Sequence, residues 1–397
     1  MKALVVAPQP FFSPRGTPFS VYYRTLVTTE LGVQVDFLTY GEGQDVAIPG
    51  MRTIRIPRVP FLGDIKVGPS IPKLFLDVFM VVWAIGLLLR NRYDYVHAHE
   101  EAIFFCRFLK PVFRFKLVYD MHSSLPQQLT NFQFSKSQTL IDLFKRLEDT
   151  CLKAADAVIT ICPDLADYVT RLLLNGRKHT LIENSIFDPV RVVPDRASTK
   201  QERPGKGLGE DAVDLPRLKR LVVYAGTLEP YQGIDILIKA FSHVMARDPD
   251  AMLLIVGGNK NQVAHYSALA QSVGIQESCV FTGRVPQSLA KHYTQLATVL
   301  VSPRSEGTNT PLKVYEQLAS GIPLVATRIY SHTQVLDDRV AFLVEPEPKD
   351  MARGILAALK LDGEGRHIAA NAMRLYEEKY SRPVYVGKMK RLLETLS

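Results

Sequence analysis

Cysteine is scarce in this chain: Cys106, Cys151, Cys162 and Cys279 are the four in 397 residues. They have neither the close pairing of a zinc site nor the density of a disulfide framework, so a stapled fold is excluded and a reducing compartment is expected. Long hydrophobic runs are missing as well. Residues 74–89 form an apolar stretch interrupted only by Asp77 and Gly86, short of the roughly 20 residues that span a bilayer, and the expectation is a buried core helix. The opening residues 1–8 are too short a run for a secretory leader and turn at once, which places the chain in a cytoplasm. Acidic residues are outnumbered, 40 against 48 basic, for a net charge of +8.

What is present is the make-up of a globular protein, 47 % hydrophobic. A chain of 397 residues exceeds the roughly 250–300 at which one core stops growing. Strand patterns alternate with helical ones, which implies parallel βαβ construction. The predicted strands are 3–7, 33–40, 51–56, 95–98, 116–120, 157–161 and 180–183, then 221–226, 251–257, 280–282, 298–302, 324–326 and 341–344. Between the two series, residues 190–220 collect Pro194, Pro204, Gly205, Gly207, Gly209 and Pro216 among many charges. That composition reads as a linker or exposed excursion.

The basic excess is uneven. Seven basic residues against Asp64 and Asp77 lie between Arg52 and Arg92. Residues 103–116 then carry Arg107, Lys110, Arg114 and Lys116 among Phe104, Phe105, Phe108, Phe113 and Phe115, with no acid. Interleaved rings and cations suit an anionic membrane surface, where rings enter the headgroup boundary and cations meet anionic lipid. No zinc finger, helix-turn-helix or aromatic RNA-binding pattern accompanies them, so nucleic acid is not an expected partner.

The most informative stretch runs from Ser305 to Thr327, SEGTNTPLKVYEQLASGIPLVAT. Asn309 or Thr310 can cap a helix with Pro311 in its first position, and Gly321 stops it before a buried strand. The Leu312 and Lys313 amides would be left open at the positive end of the helix dipole, which suits a phosphate, with the Lys313 ammonium alongside. Glu316, one turn on, can accept both hydroxyls of a ribose. The layout suggests a nucleoside diphosphate.

This pattern resembles the C-terminal signature of family 4 of the retaining glycosyltransferases, enzymes of the GT-B fold that take a sugar from a nucleotide diphosphate donor. The family signature has two glutamates separated by seven residues. Glu316 matches the second; the first falls on Thr308, with Glu306 two residues early. The resemblance implies an α/β fold of two Rossmann-like parallel-sheet domains facing across a cleft. An acceptor domain would occupy 1–189, the linker 190–220 and a donor domain 221–380, with a last helix in 381–397 crossing back.

The family's site residues carry over position by position. Gly16, in the loop after the first strand, matches the glycine-bearing first loop. His122, in Tyr119-Asp120-Met121-His122, is similar to the histidine that hydrogen-bonds the donor sugar; a histidine capping a turn is the plainer alternative. Gly226, Thr227 and Gln232 lie in the loop that opens the donor domain, where the family places two cations against the diphosphate; Thr227 and Gln232 replace both. Lys313 and the Leu312 and Lys313 amides are the expected substitutes, with Arg15, Arg284 and Arg304 in reserve. Gly257, Gly283 and Arg284 would hold the base and phosphates, Thr308, Asn309 and Thr310 the sugar, and Glu316 the ribose.

His97 and His99 share a strand face, and imidazole is a common zinc ligand, but no third ligand is evident in the pattern and no metal is expected. The resemblance thus implies a retaining transferase using a UDP- or GDP-type sugar donor and no other cofactor, and composition and charge pattern add the expectation that it is cytoplasmic and works at the membrane surface. Its acceptor would be a lipid-linked glycan or polysaccharide, and no protein nucleophile is required. A sugar-nucleotide epimerase and a catalytically silent binding protein are the alternatives.

Overall fold

The computed structural model describes residues 1–13, 16–59, 71–124, 138–174, 176–184, 187, 190, 192, 220–360 and 363–396. Most of the predicted linker 190–220, and Arg15, lie outside the described residues. Contacts divide the chain into two compact units, residues 1–200 with 382–397, and residues 201–381.

The first unit is built on seven strands, β1 (Lys2–Ala7), β2 (Gln34–Thr39), β3 (Met51–Arg55), β4 (Tyr95–His99), β5 (Lys116–Met121), β6 (Ala157–Thr160) and β7 (His179–Leu181). All pair in parallel, in the order β3-β2-β1-β4-β5-β6-β7. The run Ala3-Leu4-Val5-Val6-Ala7 is buried throughout, as expected where helices cover both faces of a parallel sheet. Strand order reverses between β1 and β4, so the carboxyl ends of these strands form the crevice in which open α/β sheets bind ligands. Helix α1 (Gly16–Glu30) follows β1.

Helix α2 (Ile71–Arg90) corrects the expectation for residues 74–89. Leu76, Met80, Ala84 and Leu88 recur every four residues and are buried, whereas Leu74, Phe75, Val78, Val82 and Leu89 are exposed. Only one stripe joins the core. Helix α3 (Ala102–Phe113) is similar: Ile103 and Cys106 are buried, Phe108 and Val112 exposed. The ring-rich face expected over residues 103–116 is therefore narrower, because Phe115 is buried and Phe104, Phe105 and Phe113 pack against the core. Among the described residues no helix is long and apolar enough to cross a membrane.

The second unit has six parallel strands, β8 (Arg220–Ala225), β9 (Ala251–Val256), β10 (Cys279–Gly283), β11 (Val299–Ser302), β12 (Leu324–Thr327) and β13 (Phe342–Val344), in the order β10-β9-β8-β11-β12-β13. Alternation along β8 sends Val222 and Tyr224 into one core with Leu237 and Phe241. Leu221 and Val223 enter a second core with Leu318 and Leu324 on the other face. The order reverses between β8 and β11, which places the crevice beside Gly226 and Arg304. All thirteen predicted strands are present, each displaced by at most two residues at an end. The last helix, Arg382–Glu394, belongs to the first unit: Arg382 pairs with Glu30 at 2.6 Å and Lys388 with Glu183 at 2.5 Å.

Candidate active site

In the second unit, the loop after β8 turns at Gly226, where φ is +156°. A Cβ on Gly226 would lie 2.9 Å from the Tyr224 Oη and 3.6 Å from the Lys313 Nζ. The chain passes too close to the Tyr224 hydroxyl for a side chain, while its approach to Lys313 is an ordinary contact. Gly257 is equally constrained, because a Cβ there would sit 2.0 Å from the Gly226 carbonyl. Its amide donates to the Gly283 carbonyl at 2.9 Å, so the turns after β9 and β10 are tied together. Arg284, next along, is exposed.

Thr227 and Gln232, which stand where the family has cations, bond each other: the Gln232 amide donates to the Thr227 hydroxyl at 3.4 Å. The Tyr224 hydroxyl donates to the Thr227 carbonyl at 2.5 Å and fixes the same turn. Lys313 sits over the face of Tyr224, its Nζ 4.0 Å from the ring centroid. The stem is partly exposed but the nitrogen is sealed from water and, among the described residues, has no hydrogen-bond acceptor. Burial, reinforced by the nearby Arg304 charge, lowers its pKa to about 7. Thr310, buried beside the helix start, likewise has a hydroxyl without a partner.

The helix itself, Leu312–Ala319, starts one residue later than predicted. Pro311 occupies the cap position in an extended conformation, and neither Asn309 nor Thr310 caps it through a side chain. The Val314 amide turns back to the Pro311 carbonyl at 3.0 Å, while helix geometry leaves those of Leu312 and Lys313 without an intrahelical acceptor. Gly321, at φ +71°, follows the helix end as expected. Glu316 lies one turn along; burial raises its pKa to about 7, opposed by the charge of Lys291. Among the described residues the charge acting on Lys313 is that of Arg304, not of Glu316.

The segment that replaces the first signature glutamate is held by its backbone. The Arg304 guanidinium donates to the carbonyls of Glu306 (2.5 Å) and Asn309 (3.4 Å) and lies 5.3 Å from the Tyr231 ring. The Thr327 hydroxyl donates to the Arg304 carbonyl, and the Gln334 amide to that of Thr308. Glu306 is exposed and contributes its carbonyl to this web.

In the first unit, the histidines meet the carboxylate of Asp120. In-register pairing sets His99 beside Asp120. His97 Nε2 lies 3.0 Å from Asp120 Oδ2, and His99 Nδ1 lies 3.0 Å from His122 Nε2. Arg24, from α1, donates its Nε to Asp120 at 2.8 Å, and every member is buried. The expectation that His97 and His99 lack a third potential ligand is thus corrected: Asp120 brings a carboxylate oxygen within 4.8 Å of both. The guanidinium already neutralises that carboxylate, however, and places a fixed positive charge where a cation would go.

Arg24 and the histidines hold Asp120 well below the usual carboxylate range against its burial. Burial keeps His99 well below its usual value and lowers His122 to about 4, with the charge of Arg24 acting in the same direction. Beside the Arg24–Asp120 ion pair, the His99 and His122 imidazoles are held neutral. Arg24 also lies 5.4 Å from the Tyr385 ring of the last helix. Gly16 opens α1 and is exposed. Arg24 and Tyr385 were missed because each lies in a helix far along the chain from the strand ends it serves.

The chain matches the family model "Glycosyl transferases group 1" over residues 211–375 and "Glycosyl transferase 4-like domain" over residues 23–185. The Bacillus subtilis protein YtcC is 23 % identical over 65 % of this chain and 61 % of its own length. A phosphatidyl-myo-inositol mannosyltransferase of Mycobacterium tuberculosis is 27 % identical over 48 % of this chain and 56 % of that enzyme. The chain therefore spans little more than half the length of these relatives. Among solved structures, sucrose-phosphate synthase of Thermosynechococcus elongatus superposes with a TM-score of 0.72 at 21 % identity, covering 100 % of this chain and 98 % of that one. HepE of Anabaena, in complex with UDP, gives 0.69 at 16 % identity over 100 % and 99 %. These structures show the GT-B fold, and with two consecutive family models covering residues 23–185 and 211–375 the chain belongs to the group 1, family 4 glycosyltransferases.

Proposed function

We propose that the protein transfers a sugar from a nucleoside diphosphate sugar to a lipid-linked or polysaccharide acceptor at an anionic membrane surface, with retention of configuration. The observation that carries this reading is Lys313. A lysine nitrogen sealed from water, without an acceptor, at the amino end of a helix is costly to keep unless an anion completes it.

In this reading the Lys313 ammonium and the Leu312 and Lys313 amides stabilise the departing diphosphate, Glu316 accepts the ribose hydroxyls, and the Gly226, Gly257 and Gly283 turns let backbone approach the nucleotide. The polar backbone of Thr308–Thr310 takes the place of the absent first glutamate at the sugar, and His122 is assigned to sugar orientation by family resemblance. A uridine donor draws support from HepE, which was solved with UDP. A lipid acceptor draws support from the phosphatidyl-myo-inositol mannosyltransferase and from the apolar faces of α2 and α3.

A second reading, a binding protein without turnover, is favoured by one observation, the Thr227–Gln232 hydrogen bond where two cations are expected. Calorimetric titration with UDP, GDP, ADP and CDP tests the site. Selective binding of one, lost in Lys313→Ala and Glu316→Ala, supports it; failure of all four sinks it. Sugar release or transfer from the matching donor then separates the enzyme from the silent binder.

A further inference from the structure

We propose that a nucleoside diphosphate binds this protein together with a proton, taken up from solvent by Lys313. The inference rests on the reading above that a diphosphate occupies the amino end of Leu312–Ala319. It adds that the cation for the diphosphate is formed by binding, whereas a guanidinium at position 227 would be permanently charged.

The geometry comes first. The Lys313 Nζ is enclosed between the Tyr224 ring, 4.0 Å away, and the Gly226 turn. Among the described residues no hydrogen-bond acceptor reaches it. The groups facing it are Tyr224 from β8, the Arg304 guanidinium after β11 and His332 after β12, while Glu316 lies one turn along the same helix, its charge opposed by Lys291 instead. Tyr224 stays protonated because burial raises it. His332 stays neutral because burial lowers it to about 4. The remaining fixed charge, Arg304, repels an ammonium. The Tyr224 face itself attracts an ammonium, but enclosure without an acceptor and beside Arg304 outweighs it and favours the neutral amine, and the lowering of Lys313 to about 7 agrees.

A diphosphate reverses the balance. Two phosphate oxygens near Nζ supply acceptors and negative charge, so the amine takes a proton from solvent or buffer, forms one N–H bond, and the complex gains one positive charge. Glu316 works in the opposite sense. Ribose hydroxyls donate to its ionised form, so below its value of about 7 binding would release a proton. At about pH 8 Glu316 is already ionised while Lys313 is largely neutral, and uptake by Lys313 stands alone.

The test is calorimetric titration of the full chain with UDP and GDP at about pH 8, in buffers of low and high ionisation enthalpy. The expected result for the nucleotide that binds is an observed enthalpy that tracks the buffer, giving nearly one proton taken up per nucleotide. Affinity should weaken about tenfold between pH 8 and pH 9. Lys313→Arg, permanently charged, should bind without uptake, and Lys313→Met should bind more weakly, also without uptake. Binding by the wild type with a buffer-independent enthalpy overturns the proposal and leaves the nucleotide site standing. Uptake that persists in Lys313→Met assigns the proton elsewhere and overturns it as well. Failure of both nucleotides, and of ADP and CDP in the same assay, overturns it together with the reading beneath it.

Discussion

The Nδ1 of His99 lies 3.0 Å from the Nε2 of His122, and both rings are buried beside an aspartate that is already paired with an arginine. Neither imidazole can gain a charge cheaply there. In the unfolded chain both titrate near 6.5, whereas His122 is lowered to about 4 and His99 lies well below its usual value. The unfolded state therefore binds more protons between about pH 6.5 and 4, and stability falls as pH drops through that window. His332 adds the same effect in the second unit, lowered to about 4 where it bridges Ser302 and Thr327. His122 and His332 should each cost about 1.5 kcal/mol between pH 6.5 and pH 5, and His99 acts in the same direction. Thermal melts at the two pH values check this, with a shallower loss in His332→Gln. A melting temperature unchanged down to pH 5 would show that the rings are not held neutral.

Lys313→Met should separate stability from function. The wild-type lysine titrates near 7 folded and near 10.5 unfolded, so the cost of burying it is fully present below pH 7 and disappears as pH rises to 10.5. The methionine variant should be more stable than wild type at pH 6, by roughly 3–5 kcal/mol, and equal to it near pH 10.5. Its turnover should fall by about a hundredfold or more, the scale of losing one charge-stabilising group. Denaturant melts at both pH values and a transfer assay decide the matter. A variant that is less stable at pH 6 and fully active would remove Lys313 from the site.

Gln334 should act as a positioning residue. Its amide holds the Thr308 carbonyl while the Thr327 hydroxyl holds that of Arg304, so the two ends of the loop before the helix are pinned from β12 and the turn that follows it. Gln334→Ala loses a part-buried hydrogen bond worth about 1 kcal/mol. The expected result is a folded protein whose KM for the sugar donor rises about tenfold while kcat changes less. Unchanged KM would show that the loop keeps its shape without the tie.

Breaking the Arg24–Asp120 pair should be the most damaging single change in the first unit. Both groups are buried, and Asp120→Ala strands a guanidinium that also touches the Ile182 carbonyl and the Tyr385 ring. Loss of one partner of a buried pair costs about 3–5 kcal/mol, while replacing both by apolar residues costs far less. Arg24→Met with Asp120→Leu should therefore recover much of the stability lost by Asp120→Ala. A double variant as unstable as the single would show that the pair holds more than its own charge.

How much of this was readable from the chain differs between fold and site. The strands were legible because a parallel sheet covered on both faces leaves continuous runs such as Ala3-Leu4-Val5-Val6-Ala7. Lys313 and Glu316 were legible because a helix start fixes their spacing within one turn. The Arg24–Asp120–His99–His122 network was not, since it joins α1 to two strand ends, and no local pattern records which helix face meets which strand. The match of Asp120 to His99 depends on strand register, which the sequence constrains only through burial of whole faces. The exposed stripe on α2 was hidden for the opposite reason: apolar residues lie on both its faces, so periodicity could not tell the packed side from the open one.

That stripe yields the remaining prediction. Phe75, Val78 and Val82 on α2 and Phe108 and Val112 on α3 are exposed, and α2 packs against α3. Of the cations interleaved with them, Lys110 is tied to Asp156 at 2.8 Å and Arg107 donates to Thr150 at 3.0 Å. In the proposed membrane contact, attraction to lipid would therefore fall mainly to Arg114, Lys116, Arg90 and Arg92, and apolar contact would supply the rest. Burying one phenylalanine in the headgroup boundary contributes on the order of 1.5–3 kcal/mol, about tenfold or more in partitioning. Phe75→Ser with Phe108→Ser should thus reduce co-sedimentation with anionic phosphatidylglycerol vesicles by a hundredfold or so. The same variant should bind UDP or GDP with wild-type affinity, since both residues lie outside the unit that holds Lys313. Salt should weaken the wild-type interaction only in part, because the apolar share is unscreened. Binding that salt abolishes completely, or that survives the double substitution, would assign the membrane contact to charge alone.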